Sequence, residues 1–196
     1  MIRAGRIRPT RAAVVLTFGL LGACGGGGGG GGTPPTQPPI PPLPPTGATF
    51  TPDSAAGPNS ISLAAGSGGS ATRFVLDVQA TDVTDVYAVS FELRFPDNLL
   101  NFRKSGTNEG GFLDEGKADT ELIVEKSSTG TLVIGYSRLG LDNGASGSGL
   151  LFSLEFTLDA NGSGSFDLRR TDVLDPFGVA QNGVDWLGGS ISVSVN

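Results

Sequence analysis

From Ile61 onward the chain alternates apolar and polar residues with a period of two. In "RFVLDVQA" Phe74, Leu76, Val78 and Ala80 fall on one side, and in "VYAVSFELRF" Tyr87, Val89, Phe91, Leu93 and Phe95 do. Successive side chains of an extended strand point to opposite faces, so each run predicts a strand with one side buried. The pattern recurs through Leu122 and Val124 in "TELIVEK", through Leu132, Ile134 and Tyr136 in "TLVIGYSR", and through Leu150, Phe152, Leu154, Phe156 and Leu158 in "LLFSLEFTL". Further strands are expected at Ser165 to Arg169 and Gly189 to Val195. No stretch with helical spacing is long enough to count as a helix. Asn143-Gly144, Asn161-Gly162 and Asn182-Gly183 predict tight turns, because both residue types tolerate positive φ.

About nine strands with regular turn signals and no intervening helix predict an all-β fold. A strand row that is apolar on one side must bury that side against a second sheet. The expected architecture is therefore an antiparallel β-sandwich of two packed sheets.

The chain upstream of this pattern has a different character. "MIRAGRIRPTRAAVVLTFGLLGAC" sets Arg3, Arg6, Arg8 and Arg11 before an uncharged apolar run from Ala12 to Ala23. A basic head, a short apolar body and small residues at its end are the features of an export signal. The run is too short for a spanning helix, which needs about twenty residues. Leu21-Gly22-Ala23-Cys24 resembles the lipobox of bacterial lipoproteins, which implies cleavage before Cys24 and lipidation of its sulfur. Residues 25–32 are all glycine, and a proline ladder runs from Pro34 to Pro45. The first is expected to be a flexible coil and the second a semi-rigid polyproline spacer of about 35 to 40 Å. The expected organisation is a lipoprotein signal peptide over 1–23, the lipidated cysteine with a Gly/Pro-rich linker over 24–47, and a sandwich domain over 48–196. The domain would be held at the cell envelope by a membrane lipid anchor, facing the periplasm or the cell surface. Gly25, not Asp, follows the cysteine, which is compatible with outward transport.

Composition narrows the chemistry. Four of the thirteen basic residues and none of the nineteen acidic ones lie in the leader, leaving nine basic against nineteen acidic residues, a net of −10. Nucleic acid and anionic lipid headgroups are poor partners for such a surface. Cys24 is the only cysteine and there is no histidine, so a Ser-His-Asp triad, a Cys-His pair and an ordinary zinc site are all excluded. Carboxylate chemistry or oxygen-ligated calcium remains.

Read in order, "VYAVSFELRFPDNLLNF", "GGFL", "TGTLVIGYSRLG", "GSGLLFSLEFTLDANGSGSFDL" and "DWLGGSISV" resemble a cohesin domain, the antiparallel jelly-roll β-sandwich that receives dockerin modules in cellulosomes. The resemblance runs from about Ser60 to Val195 and rests on the order and spacing of these segments, not on any single motif. It implies a non-catalytic binding module whose partner is a dockerin-type protein of polysaccharide catabolism, with any calcium dependence contributed by the partner. The implied docking face contains the strands at Val86 to Phe95, Thr120 to Lys126, Thr131 to Arg138 and Leu151 to Leu158. Alternation on those strands turns Ala88, Ser90, Glu92 and Arg94 outward, with Ile123, Val133, Ser137, Ser153, Glu155 and Thr157 beside them. Type I cohesins carry an Asn and an Asp where Ala88 and Ser90 stand, so this chain lacks those charge-assisted contacts.

"DANGSGSFDLRR" begins like a calcium loop, with Asp159, Asn161, Ser163 and Gly164 at the first, third, fifth and sixth places, but the twelfth place holds Arg170 where the pattern needs a bidentate carboxylate. A hairpin is expected there, and no metal. Glu92 and Glu155, on neighbouring strands, are the closest approach to a glycosidase pair, but a flat sheet face offers no cleft and no enzyme is expected. Direct polysaccharide binding is the alternative function, since Trp186, Tyr87 and Tyr136 are rings on which a sugar could stack. Trp186 is expected to plug the end of the sandwich. A purely structural envelope lipoprotein is the third reading.

Overall fold

The computed structural model describes residues 46–115, 117–140 and 143–195, so the leader, Cys24 and nearly all of the linker lie outside the described residues. Eleven strands form two sheets, with no helix among the described residues. The first sheet holds, in spatial order, β1 (Gly47–Pro52), β11 (Gly189–Ser194), β9 (Gly162–Leu174), β4 (Ala88–Arg94), β7 (Thr131–Arg138) and β6 (Thr120–Ser128). The second holds β10 (Asp185–Leu187), β2 (Ser60–Ala65), β3 (Arg73–Val86), β8 (Ala145–Leu158) and β5 (Leu100–Glu109).

The all-β sandwich follows from the alternation. Phe74, Leu76, Val78 and Ala80 of β3, Val89, Phe91 and Leu93 of β4, and Phe152, Leu154, Phe156 and Leu158 of β8 are all buried. Aromatic rings join the sheets along the length of the core. Phe91 stacks on Phe152 at 6.1 Å, Phe95 meets Phe156 at 5.2 Å, and Phe166 meets Phe156 at 5.6 Å. Tyr136 of β7 sets its edge against Phe152 at 5.8 Å. Ring pairs of this kind contribute about 0.5–1.5 kcal/mol each beyond the area they bury.

The strand count exceeds the expected nine because β1 and β10 are short. β1 ends in a proline, and β10 has three residues, too few to display a period. β10 also pairs with β2 in parallel, with Trp186 opposite Ile61, an exception to the expected antiparallel arrangement. The chain reaches β10 from the other sheet, so no tight turn obliges it to reverse beside its neighbour.

Consecutive strands pair as hairpins at β2–β3 and β6–β7, while the other connections cross between sheets. All three Asn-Gly sites lie at crossovers. In particular β8 and β9, which flank Asn161-Gly162, belong to different sheets, so the hairpin expected there is an arch. Close approach explains one of these glycines: a Cβ on Gly144 would stand 2.3 Å from the backbone of Asp85, whose carboxylate accepts the Gly144 amide at 3.0 Å.

Candidate functional site

Register places the nominated residues in two groups. Ala88, Ser90, Glu92 and Arg94 on β4, Val133 and Ser137 on β7, and Ile123 on β6 share the outward face of the first sheet. Three rows cross it: Glu121, Ser137, Ala88 and Leu174; then Ile123, Gly135, Ser90 and Asp172; then Glu125, Val133, Glu92 and Arg169. Ile123 is 53% exposed and Val133 is 42% exposed, on adjacent strands in neighbouring rows. The two aliphatic side chains are framed by Glu92, Glu121 and Glu125.

Ser153, Glu155 and Thr157 do not belong to this face. β8 pairs with β3 and β5 in the second sheet, so these three point away from the opposite side of the sandwich. The residues expected to form one ten-member face therefore divide seven to three. Alternation assigns a residue to one side of its own strand, but not the strand to a sheet. Glu92 and Glu155 are accordingly separated by the core and cannot form a carboxylate pair. Among the described residues no group of three or more acidic, Cys or His side chains is arranged to hold a metal ion.

The outward side of the second sheet satisfies its own polar groups. Glu155 Oε1 lies 3.0 Å from the Arg103 guanidinium and Oε2 lies 3.6 Å from that of Arg73. The Ser153 hydroxyl donates to Asp77 at 2.7 Å, and Thr157 donates to the Asp159 carboxylate at 3.2 Å. β5 breaks register between Arg103, opposite Glu155, and Asn108, opposite Ser153, so the residues between arch over Glu155. Gly106 is required in that arch, since its Cβ would fall 2.5 Å from the Glu155 Cβ. The Glu155 side chain is left only 15% exposed.

The first sheet gains members that alternation in the nominated strands did not supply. β9 lies beside β4 and brings Asp167, Arg169, Arg170 and Asp172 to the face. A bulge between the Ser90 and Glu92 registers inserts Arg170 with φ +49°, and its guanidinium donates to Glu92 Oε1 at 2.7 Å. Asp172 stands directly across from Ser90. It puts a carboxylate beside the Ser90 hydroxyl position on the same outward row.

The calcium-like segment does not curl around a point. From Gly162 onward it is the extended strand β9, and the Asn161 carboxamide is occupied in accepting the Val195 amide. Nor do the candidate sugar platforms form a row. Tyr136 is buried, with its hydroxyl donating to the Gly110 carbonyl at 3.1 Å. The Tyr87 hydroxyl donates to the Gly140 carbonyl at 2.7 Å, and Trp186 is half-buried against Phe91 at 5.3 Å. Among the described residues the exposed aromatic ring is instead Phe177, in the turn after β9. Its segment "DPFG" reads as an ordinary turn, and an apolar ring at its centre was the available signal.

No protein-family model matches the chain, and no curated protein sequence does. Solved structures do match in fold. A chain of the CaDoc0917–CaCohA2 complex is 18% identical, with 67% of this chain and 98% of that one covered at a TM-score of 0.54. The second type II cohesin module from the adaptor ScaA scaffoldin of Acetivibrio cellulolyticus is 12% identical, covering 76% of this chain and 90% of that one at 0.53. The third cohesin of ScaC from the same organism, solved with the ScaB dockerin in a type I interaction, is 13% identical, covering 64% and 90% at 0.52. Identities this low carry the architecture alone. The sandwich built by residues 46–195 has the fold of a cohesin module.

Proposed function

We propose that this protein is a non-catalytic, lipid-tethered capture module that holds a dockerin-type partner on the outward face of β9, β4, β7 and β6. The observation that carries this reading is the contrast between the two outer faces. The second sheet's polar side chains are paired among themselves, whereas the first leaves Ile123 and Val133 exposed in a flat, charge-framed field. An apolar centre ringed by charged groups is the anatomy of a protein-docking surface. Cohesins of this fold have been solved with dockerins, which supports the class of partner. By the same resemblance the partner belongs to polysaccharide breakdown and brings any calcium requirement itself. Cys24, at the end of the apolar leader, is the lipid attachment point, and the Gly/Pro linker stands the sandwich off the membrane.

Direct polysaccharide binding is less well supported, because Trp186, Tyr87 and Tyr136 do not form an exposed planar row.

Capture of purified type I and type II dockerin modules by the sandwich domain, with and without calcium, tests the proposal. Ser90→Arg and Val133→Asp should abolish capture with little loss of stability, while Asn101→Lys, at an exposed position on the second sheet, should leave capture intact. Equal sensitivity to Asn101→Lys, or capture of none of the modules, would refute the assignment of the face or of the partner respectively. Cys24→Ser should move the full-length protein from the membrane to the soluble fraction.

A further inference from the structure

Phe177 is 88% exposed, at the tip of a hairpin that is held rigidly. Leu174, the last residue of β9, bridges to Ala180, and the Gln181 amide donates to the Val173 carbonyl at 2.8 Å. Inside the hairpin the Asp175 amide donates to the Val179 carbonyl, and the Gly178 amide to the Asp175 carbonyl, both at 3.0 Å. The Asp175 carboxylate accepts the amides of Phe177 and Val179, both at 2.9 Å. The Gln181 side chain ties the returning limb to the Asp85 carbonyl at 2.9 Å. The ring is thus presented on a preorganised support, and ordering it on contact costs little. Val179 beside it is also exposed, as is Leu139, which follows β7 at the same end of the sandwich.

This end is strongly acidic. Asp85, Asp114, Asp119, Glu121, Asp172 and Asp175 lie on the strand ends and connections that meet there, as the hydrogen bonds joining Leu174 to Tyr87, Tyr87 to Arg138, and Leu139 to Asp119 show. Among the described residues the cations at this end are Lys117 and Arg138, and Arg138 is buried. Arg73, at the start of β3, and Arg94, at the end of β4, lie toward the opposite end. An apolar tip in such a field repels a second copy of this acidic domain and an anionic bilayer, and it favours a cationic protein surface.

We infer that the Phe177 hairpin is a second anchor for the docked partner, inserting its ring into an apolar socket rimmed by Lys or Arg on the partner's flank. The inference rests on the docking reading, because β9 carries both the hairpin and one margin of the proposed face. It adds the chemistry of the partner: a basic flank beside the surface that covers Ile123 and Val133. The ring supplies residence time, and the carboxylates supply the speed of encounter.

The test uses the sandwich domain and whichever type I or type II dockerin module it captures, with association and dissociation followed at low and high salt. Phe177→Ser should leave the unfolding midpoint unchanged and accelerate dissociation about 10- to 100-fold. Glu121→Lys should slow association several-fold, with a weaker dependence on salt. If Val133→Asp abolishes binding while Phe177→Ser leaves dissociation unchanged, the hairpin is no anchor and the docking reading stands. If no dockerin module is captured, both fall. Self-association of the domain in sedimentation, lost in Phe177→Ser, would assign the ring to contacts between copies and overturn the inference.

Discussion

Arg170 reaches across the bulge of β9 to place its guanidinium 2.7 Å from the carboxylate of Glu92 on β4, and it does so from a left-handed backbone with φ +49°. The two features act in opposite directions on stability. Arg170 has an 80% exposed side chain, so the ion pair stabilises by no more than about 1 kcal/mol. The left-handed conformation costs a residue with a Cβ about 1–2 kcal/mol. Arg170→Ala should therefore be mildly destabilising. Arg170→Gly should be more stable than Arg170→Ala by about 1 kcal/mol, as measured by urea unfolding of both variants.

Gly135 occupies the middle of the proposed docking face, between Ile123 and Ser90, for no reason the fold supplies. Its φ is not positive, and a Cβ there would meet nothing within 4 Å. Glycine in a strand interior costs about 0.5–1 kcal/mol relative to alanine. Gly135→Ala should accordingly raise the unfolding free energy by about that amount. Gly135→Arg should fold as well as the parent and fail to capture the partner, so a stable variant with undiminished capture would show that the centre of the face is not used.

Phe156 is fully buried where rings from both sheets converge: Phe95 at 5.2 Å, Phe166 at 5.6 Å and Phe102 at 5.8 Å. Truncating it removes contacts to both layers at once. Phe156→Ala should cost about 3–5 kcal/mol, and thermal unfolding should show it.

Burial pushes the Tyr136 phenol above its ordinary value of 10.0, an effect that a side-chain hydrogen bond with Thr120 opposes and the nearby Glu109 and Asp114 carboxylates reinforce. The unfolded chain therefore releases this proton more readily than the folded one. The resulting stability is fully present below pH 10.0 and is lost as pH rises through the higher folded value. Tyr136→Phe should flatten the loss of stability above pH 10.0. It should cost about 1 kcal/mol near neutrality, because the Gly110 carbonyl loses its donor. Urea midpoints of both proteins from neutral to strongly alkaline pH check both parts.

Within most strands the alternation told which side chains go in and which go out, because the two sides of an extended strand differ only in what covers them; in β8 a bulge opposite Val78 and Gln79 breaks it, burying Leu151 and leaving the expected inward Leu150 half-buried. Val89, Phe91 and Leu93 are buried and Ser90 is exposed, as their positions alone require. The same local rule is silent on partners. Ser153 and Glu155 alternate on β8 as Ser90 and Glu92 do on β4, yet a whole core separates the two pairs. The Asn-Gly steps show the same blindness, since a residue pair that tolerates positive φ serves a crossover between sheets as well as a hairpin.

The chain by itself determined an all-strand domain, most of its inward residues, and the absence of histidine and thiol chemistry from residues 48–196, since these depend on residue identity and a period of two. Tertiary structure decided which strands share a sheet, and so which outward residues form one surface. It brought Asp172 and Arg170 of β9 beside Ser90 and Glu92, folded β5 over Glu155, and left Phe177 standing in solvent. Those outcomes come from contacts between residues far apart in the chain, whose energies depend on which surfaces meet and leave no mark on the local pattern of either partner.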